Sequence, residues 1–286
     1  MQFVMSKAIT INSTVRASLA AVITSSLCAY SFAQSPSEQP LWEAGGVFFG
    51  VSQQAYPGSD QQVNRILPLP YFLYRGKVLR ADQDSAGLRA FKNETFEVDV
   101  GVAGSFGGGR GALDARQGMR ELGTLVELGP RLKWNLGAAP FDGRLRAEIP
   151  LRAVFDLSDG GQYRGVSFEP KLVYERRLDG GWRYGASVGA IVADTRLAQT
   201  FYDVSRAEAT ALRPAYSAKS GLVAWRLGTS FSRSLNRDWN LFGFARLDTV
   251  AGAANEASPL VRQKTGATLG LGVSYTWLRS SQRAED

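Results

Sequence analysis

The stretch that decides the fold is residues 126–155, VELGPRLKWNLGAAPFDGRLRAEIPLRAVF. Apolar side chains occupy every second position of its first part, and the positions between them are charged or small. These apolar positions are Val126, Leu128, Pro130, Leu132, Trp134 and Leu136. The alternation resumes at Arg144, after a turn rich in glycine and alanine. A period of two residues is that of a β-strand, and two such segments around a short turn predict an antiparallel hairpin.

The same alternation recurs along most of the chain, and helical periodicity is scarce. It predicts strands at 41–53, 64–75, 95–106, 121–136, 143–157, 163–177, 181–193, 216–233, 239–249 and 265–278. The segment 239–248 alternates poorly and is assigned from its neighbours. Residues 76–91 have room for two short strands broken at Asp82–Ser85. We therefore predict about twelve strands, or ten if residues 76–91 form an excursion instead.

Alternation alone fits a soluble periplasmic β-sandwich as well as a membrane barrel, because each has one apolar face. Aromatic residues near the segment ends favour lipid contact: Trp134, Tyr174, Trp182, Trp225, Trp239, Tyr275 and Trp277. Short turns at 178–181 and 236–238 also alternate with long connections at 107–120, 195–215 and 251–264, as in outer-membrane barrels. A hydrocarbon environment requires a closed wall. The predicted fold is an all-β, closed antiparallel transmembrane β-barrel.

The N-terminus predicts export. Residues 1–33 carry basic residues before an apolar segment, and small residues precede a cleavage site after Ala33, as in a signal peptide. The single cysteine, Cys28, lies inside this segment. Residues 34–286 would then form one barrel domain in the cell outer membrane, with a free, polar, periplasmic tail at 279–286. Removal of Lys7 and Arg16 with this segment lowers the net charge from +7 to +5, which still suits anionic lipid or lipopolysaccharide, and nucleic acid is not expected as a partner of an exported chain.

Two blocks of sequence resemble the MltA-interacting protein family, also called MipA/OmpV. The first is Tyr56-Pro57-Gly58-Ser59-Asp60, followed by Leu67–Phe72 and Tyr74–Gly76; the second is Tyr202–Ser205 with Ala207–Ala209 and Ala215-Tyr216. The resemblance implies an outer-membrane barrel. It also implies a scaffold that bridges a lytic murein transglycosylase and a bifunctional murein synthase. Other members of the family are described as adhesins or are linked to antibiotic susceptibility.

Charged side chains on the polar face are the richest candidate for a site. They share the inward parity of neighbouring strands and are Glu97, Asp99, Glu127, Arg131, Lys133, Arg144, Arg146, Glu148, Arg152, Glu169, Lys171 and Glu175. In a narrow lumen they must pair, because a buried uncompensated charge is costly. Two interpretations stay open, a salt-bridged structural lining and a polar pore for small solutes.

Three loop motifs complete the candidates. Tyr56, Pro57, Gly58, Ser59 and Asp60 predict a type II turn, either a plain turn or an external contact surface. Ser205–Glu208 has the form of a capping box, which predicts a short helix through Leu212 that ends at Pro214 and either plugs the mouth or only orders the connection. Gly107, Gly109 and Ala112 fit a dinucleotide-binding pattern, but no parallel-sheet pattern surrounds them, which favours a flexible loop.

The absence of histidine excludes every mechanism that uses an imidazole as base or metal ligand. We therefore predict no enzymatic activity, no cofactor and no metal site. The predicted function is that of an outer-membrane scaffold for murein enzymes. A small-solute pore and a surface adhesin are the alternatives.

Overall fold

The computed structural model describes residues 40–75, 79–81, 86–105 and 113–284. The predicted signal peptide, the predicted break at Asp82–Ser85 and the glycine run at Gly107–Gly109 lie outside the described residues. The strands are β1 (Trp42–Gln54), β2 (Gln62–Arg75), β3 (Leu79–Ala81), β4 (Ala86–Lys92), β5 (Phe96–Ser105), β6 (Leu125–Ala139), β7 (Gly143–Asp156), β8 (Gln162–Phe168), β9 (Lys171–Arg177), β10 (Trp182–Ala193), β11 (Gly221–Ser234), β12 (Trp239–Thr249) and β13 (Thr265–Arg279), with one α-helix, α1 (Thr195–Tyr202).

The strands form one antiparallel ring. Each strand pairs with its neighbours along the chain, and the last strand, β13, pairs with β1. β8 and β9 are halves of a single strand, because β7 and β10 each pair with both of them. Pro170, which has no N–H to donate, lies at the break. The 13-stranded sheet is therefore a barrel of twelve wall positions within the described residues, as the sequence predicted.

The wall is thinnest where the short strand β3 follows β2. The described residues of β2 and β3 pair only at Tyr74↔Ala81 and Arg75↔Arg80. On the side of β2 that faces away from β1, no strand among the described residues pairs with residues 62–73. The Arg75 N–H points toward β1, where it donates to the Leu41 carbonyl at 2.8 Å, so even-numbered residues point their N–H groups to the open side. Pro68 and Pro70 are even-numbered and have no N–H. The two prolines therefore lie where an N–H group would have no strand to pair with, which is the usual place for proline at a sheet edge.

The apolar face of the ring points outward. Leu271 and Trp277 on β13 are 57% and 62% exposed, while Ser274 between them is 5% exposed. A sandwich would bury the apolar face between two sheets, and a single ring has no second sheet to cover it. The sandwich alternative is therefore wrong, and lipid is the solvent that matches this surface.

One position departs from the predicted faces. Val223 alternates with Trp225 and Leu227 in the sequence, which predicts an outward side chain, yet it is 3% exposed. The reason is a β-bulge. Ile191 pairs with Ala224 and Val192 with Leu222, so Val223 is the extra residue between two pairs. A bulge reverses the alternation at this point.

The two ends of the barrel differ. The long-loop end carries 55–61, 113–124, 157–161, 194–220 and 250–264, and the short-turn end carries 93–95, 140–142, 178–181 and 235–238. Both termini of the described chain lie at the short-turn end, because Pro40 pairs with Arg283. The tail was predicted to be free from residue 279 onward. Instead Arg279 ends β13, and residues 280–284 follow the N-terminal segment, with the Leu41 N–H donating to the Gln282 carbonyl at 2.8 Å.

The long loops pack together into a cap, which we define as residues 55–61, 113–124, 194–220 and 250–264. Its apolar core includes inward side chains from β2, β6, β7, β10 and β11, so the cap fills the long-loop end of the lumen. The helix lies earlier than predicted: α1 spans Thr195–Tyr202 and is capped by Asp194, whose carboxylate accepts from the Leu197 N–H at 2.8 Å. Ser205–Glu208 forms the capping-box contact, with Glu208 accepting from the Ser205 N–H at 3.1 Å, but only as a turn.

Candidate functional site: the lumen and its cap

A belt of ion pairs lines one side of the lumen. Asp99 on β5 lies opposite Arg131 on β6, and the guanidinium donates two hydrogen bonds to the carboxylate at 3.0 and 2.7 Å. The Lys133 ammonium is 3.1 Å from Glu97 and 3.0 Å from Asp99. These pairs join residues that face each other across neighbouring strands. They therefore lie along the wall.

The belt continues onto β7 and β9. Glu148 is bound by Arg146 at 2.7 Å and by Lys171 at 3.0 Å, and Arg146 also reaches Glu175 at 2.7 Å. Glu148 is 3% exposed. Each buried carboxylate here has more than one cationic partner, which is the arrangement that offsets the cost of removing the charge from water.

A second chain of charges lies closer to the cap. Arg152 is 3.4 Å from Glu127 and 3.7 Å from Glu169. Arg226 on β11 is 3.4 Å from Glu169, and its guanidinium donates two hydrogen bonds of 2.7 and 2.9 Å to Asp248 on β12. Ser167 adds a hydroxyl bond of 3.0 Å to Glu127. The order of charges along this chain is acid, base, acid, base, acid.

The opposite wall of the lumen is aromatic. Phe49 on β1 is 3% exposed and stacks on Phe242 and Phe244 of β12, with ring centroids 6.0 and 6.2 Å apart. The rings fit because Gly272 and Gly270 of β13 lie opposite them: a β-carbon on Gly270 would come within 2.4 Å of the Phe244 ring. At the level of these rings the lumen therefore has a charged side and an aromatic side.

The turn at Tyr56–Asp60 belongs to the cap. Gly58 has φ of 95°, and the Ser59 N–H donates to the Tyr56 carbonyl at 3.0 Å, which is the predicted type II turn. The Tyr56 hydroxyl donates to the Leu260 carbonyl at 2.7 Å, and the Gly58 carbonyl accepts from Arg262 and Gln263. Tyr56 and Ser59 are 3% and 1% exposed. The block is thus a buried junction between loops, in which Asp60 is the exposed member.

The rest of the cap is joined by side chains that bond to backbone. Arg213 donates to the carbonyls of Ala115 and Gln117 at 3.1 and 3.0 Å. The Tyr202 hydroxyl donates to the Pro57 carbonyl at 2.9 Å, and Ser258 donates to the Tyr202 carbonyl at 2.8 Å. Loops that are far apart in the chain are therefore held in one unit, because each of these bonds links two different connections.

Burial changes the acid–base behaviour of the cap. It raises the pKa of Tyr56 to about 12 and also raises the pKa of Tyr202. Burial lowers the pKa of Arg116, whose guanidinium donates to the Phe201 carbonyl at 3.0 Å. Hydrogen bonds from Ser205 lower the pKa of Glu208. Both tyrosines thus stay neutral over the physiological range, and their hydroxyls remain donors.

Cavities of about 130 Å³ and about 50 Å³ lie beneath the cap, and both are lined by Glu169, Arg226, Phe244 and Arg246. In the described part of the chain no group of three or more carboxylate or cysteine side chains is placed to hold a metal ion. The described residues also include no helix long and apolar enough to cross a membrane.

The comparison with protein families identifies the chain. A family model described as MltA-interacting protein MipA matches residues 45–277. The chain belongs to the MipA family. It is therefore an outer-membrane barrel protein, and by the asymmetry of such barrels the long-loop end of this MipA-family chain faces outward and the short-turn end faces the periplasm.

Solved structures similar to the MipA-family chain are themselves outer-membrane proteins. A "NanC porin" shares 10% identity over 81% of this chain and 100% of its own, with a TM-score of 0.38. A "bacterial polysaccharide outer membrane secretin" shares 9% identity over 82% of this chain and 99% of its own, with a TM-score of 0.41. An outer membrane channel from Pseudomonas putida F1 shares 12% identity over 87% of this chain and 100% of its own, with a TM-score of 0.37. The fold assignment rests on the strand pairing of this chain, since all three scores are low. No curated protein matches the sequence.

The predicted charges of the MipA-family barrel lie together in the lumen, with one exception. Glu97, Asp99, Glu127, Arg131, Lys133, Arg146, Glu148, Arg152, Glu169, Lys171 and Glu175 all take part in the ion pairs described above. Arg144 has the same parity but lies near the periplasmic end of β7 with an exposed side chain.

Sequence reasoning missed the β12 side of the lumen: Phe242, Phe244, Arg246 and Asp248, with Arg226 across on β11. Both faces of β12 carry apolar residues, so its alternation is weak. The signal that could have found them is the pair Gly270 and Gly272 on β13. Glycine at alternate positions of a strand indicates bulky side chains on the neighbouring strand, pointing to the same face.

Proposed function

We propose that this chain is a non-enzymatic outer-membrane scaffold. It would hold a lytic murein transglycosylase and a bifunctional murein synthase at the periplasmic, short-turn end. The observation that carries the proposal is the cap. Its apolar core occupies the outer end of the lumen, so the barrel is built as a closed body in the membrane, and the family description names an interaction with MltA.

The short-turn end has the features of a protein-binding surface. Three successive turns at this end, 140–142, 178–181 and 235–238, expose Phe141, Leu178 and Leu235 at 75%, 40% and 53%. Phe141 has φ of 62° and Asp142 has φ of 58°, both in the left-handed region. A bulky residue held there costs of order 1 kcal/mol or more, so strain of this kind points to a functional role. The Arg176 guanidinium lies 5.9 Å from the Phe141 ring centroid.

The test is capture of a purified lytic transglycosylase by the full-length barrel in detergent micelles. We expect the triple variant Phe141→Asn, Leu178→Ser, Leu235→Ser to bind at least about tenfold more weakly, since a few exposed apolar anchors dominate most interfaces. Asparagine suits the left-handed position and so keeps the turn. Leu212→Ser is the matched control, because Leu212 is 87% exposed but lies in the cap at the other end.

Equal capture by the triple variant and wild type would contradict the periplasmic contact surface. Loss of binding in Leu212→Ser alone would place the contact at the cap and would likewise contradict the periplasmic contact surface. Planar-bilayer recordings separate the scaffold from the pore: we expect no steady channels from the wild-type protein. Steady conductance would show that the cap does not close the barrel.

A further inference from the structure

Arg246 is an arginine of the lumen that takes part in neither chain of ion pairs. It lies on β12, in register with Thr268, with an inward side chain next to Phe244, whose ring centroid is 5.8 Å from the guanidinium. Its Nε is buried and has no hydrogen-bond partner. Within the described residues Arg246 forms no ion pair, whereas Arg226 on the neighbouring strand has two bonds to Asp248 and a contact with Glu169.

Charge balance explains why Arg246 stays in the lumen without a direct partner. Glu127, Glu169 and Asp248 are three carboxylates, and the chain that joins them contains two guanidinium groups, Arg152 and Arg226. The chain alone thus has an excess of one negative charge. Arg246 balances that excess from a distance. Its N–H groups therefore remain available to another acceptor.

The space beside Arg246 is suited to a small organic molecule. The cavity of about 130 Å³ is lined on its polar side by Arg246 and by the ion-paired residues of the second charge chain, and on its apolar side by Phe49, Phe244, Leu197 and Phe201. Cavities near 150 Å³ hold a benzene ring. Binding sites of this kind combine a mostly apolar wall with a few polar groups that fix orientation.

We infer that the lumen binds a small organic monocarboxylate, with the guanidinium of Arg246 as its anchor and the aromatic wall around its apolar body. The planar fork of arginine matches a carboxylate in a way that a neutral group does not. Arg152 and Arg226 are engaged by the carboxylates of the second charge chain, whereas Arg246 forms no ion pair among the described residues, so the added anion meets a guanidinium whose N–H groups are still available. The inference does not rest on the scaffold proposal, since the scaffold surface lies at the short-turn end.

The test is calorimetric titration of the full-length protein in detergent with benzoate, benzamide and acetate. Benzamide has the shape of benzoate without its charge, and acetate has the carboxylate without the ring. We expect benzoate to bind at least about tenfold more tightly than either, since tenfold corresponds to the loss of a single good interaction. Equal binding of benzoate and benzamide would overturn the anionic anchor, and equal binding of benzoate and acetate would overturn the apolar body.

Variants locate the site. Arg246→Gln should weaken benzoate binding at least about tenfold, and Arg246→Lys should retain part of it, because lysine keeps the charge without the fork. Arg176→Gln is the matched control. Its Nε is also buried without a partner, but it lies by Phe141 at the short-turn end and should bind benzoate as wild type does. Unchanged binding in Arg246→Gln would overturn the site, and the ligand series on wild type tests the proposal even if that variant does not fold.

Discussion

Single side chains in the lumen differ in how much they contribute to stability, although the sequence treats them alike. Asp99 is 2% exposed and is bound by both Arg131 and Lys133. We expect Asp99→Asn to lower the free energy of unfolding by about 3 kcal/mol, because it removes the charged carboxylate to which the buried guanidinium of Arg131 donates two hydrogen bonds. Urea titration of the protein in lipid vesicles measures this. Glu97→Gln is the control. The Glu97 side chain is 21% exposed, and Lys133 still has its ion pair with Asp99 in this variant. The free energy of unfolding should therefore fall by about 1 kcal/mol or less.

Period-two alternation predicted which charged residues point inward, and it did so because the β-strand parity depends on nothing but position along the chain. It could not predict which charges pair, since pairing depends on register between strands. Nor could it single out Arg246, because Arg246 differs from the other inward arginines only in that the nearby carboxylates pair with Arg226 instead. Val223 shows the limit of the rule, because a single bulge places an apparently lipid-facing valine in the core.

At the level of a strand, β13 tests which solvent touches the apolar face. Leu271 is 57% exposed near the middle of Thr265–Arg279. We expect Leu271→Arg to reduce the free energy of unfolding in lipid by about 2 to 4 kcal/mol, as for arginine on the lipid face at the bilayer midplane. Leu278→Arg is the control, since Leu278 is equally exposed, at 60%, but lies at the strand end, where the cost falls to about 0 to 1 kcal/mol. Equal, small effects at both positions would contradict a lipid-covered face.

The elements themselves were predicted closely, with two differences that have physical causes. The strand predicted at 163–177 is broken at Pro170, because proline removes a ladder donor. The helix predicted from the Ser205–Glu208 capping box lies instead at Thr195–Tyr202. A capping box satisfies backbone donors in a turn as well as in a helix. Leu197, Ala198 and Tyr202 pack into the core of the cap, which gives the upstream segment the stronger reason to be helical.

The whole molecule joins a barrel, whose wall is specified locally, to a cap, whose structure depends on contacts between loops far apart in sequence. No periodicity marks such contacts, so the turn at Tyr56–Asp60 was predicted correctly as a turn while its burial was not. The same contacts make the closure of the barrel depend on the hydroxyl groups of buried tyrosines, Tyr56 and Tyr202, each of which donates to a carbonyl of another loop.

This dependence predicts a specific loss of stability in alkali. Burial raises the pKa of Tyr56 from 10.0 to about 12 in the folded protein, so its contribution to stability is complete below pH 10 and is lost as the pH rises toward 12. The same direction holds for Tyr202.

We expect Tyr56→Phe combined with Tyr202→Phe to lower the free energy of unfolding by about 1 kcal/mol per lost hydrogen bond at neutral pH. The double variant should also show a smaller further decrease between pH 10 and 12 than wild type. Tyr163→Phe, which removes a 38% exposed tyrosine, should keep the wild-type pH dependence. A wild-type protein whose stability is flat across this range, or a double variant that falls as steeply, would show that the cap does not depend on these two hydroxyl groups.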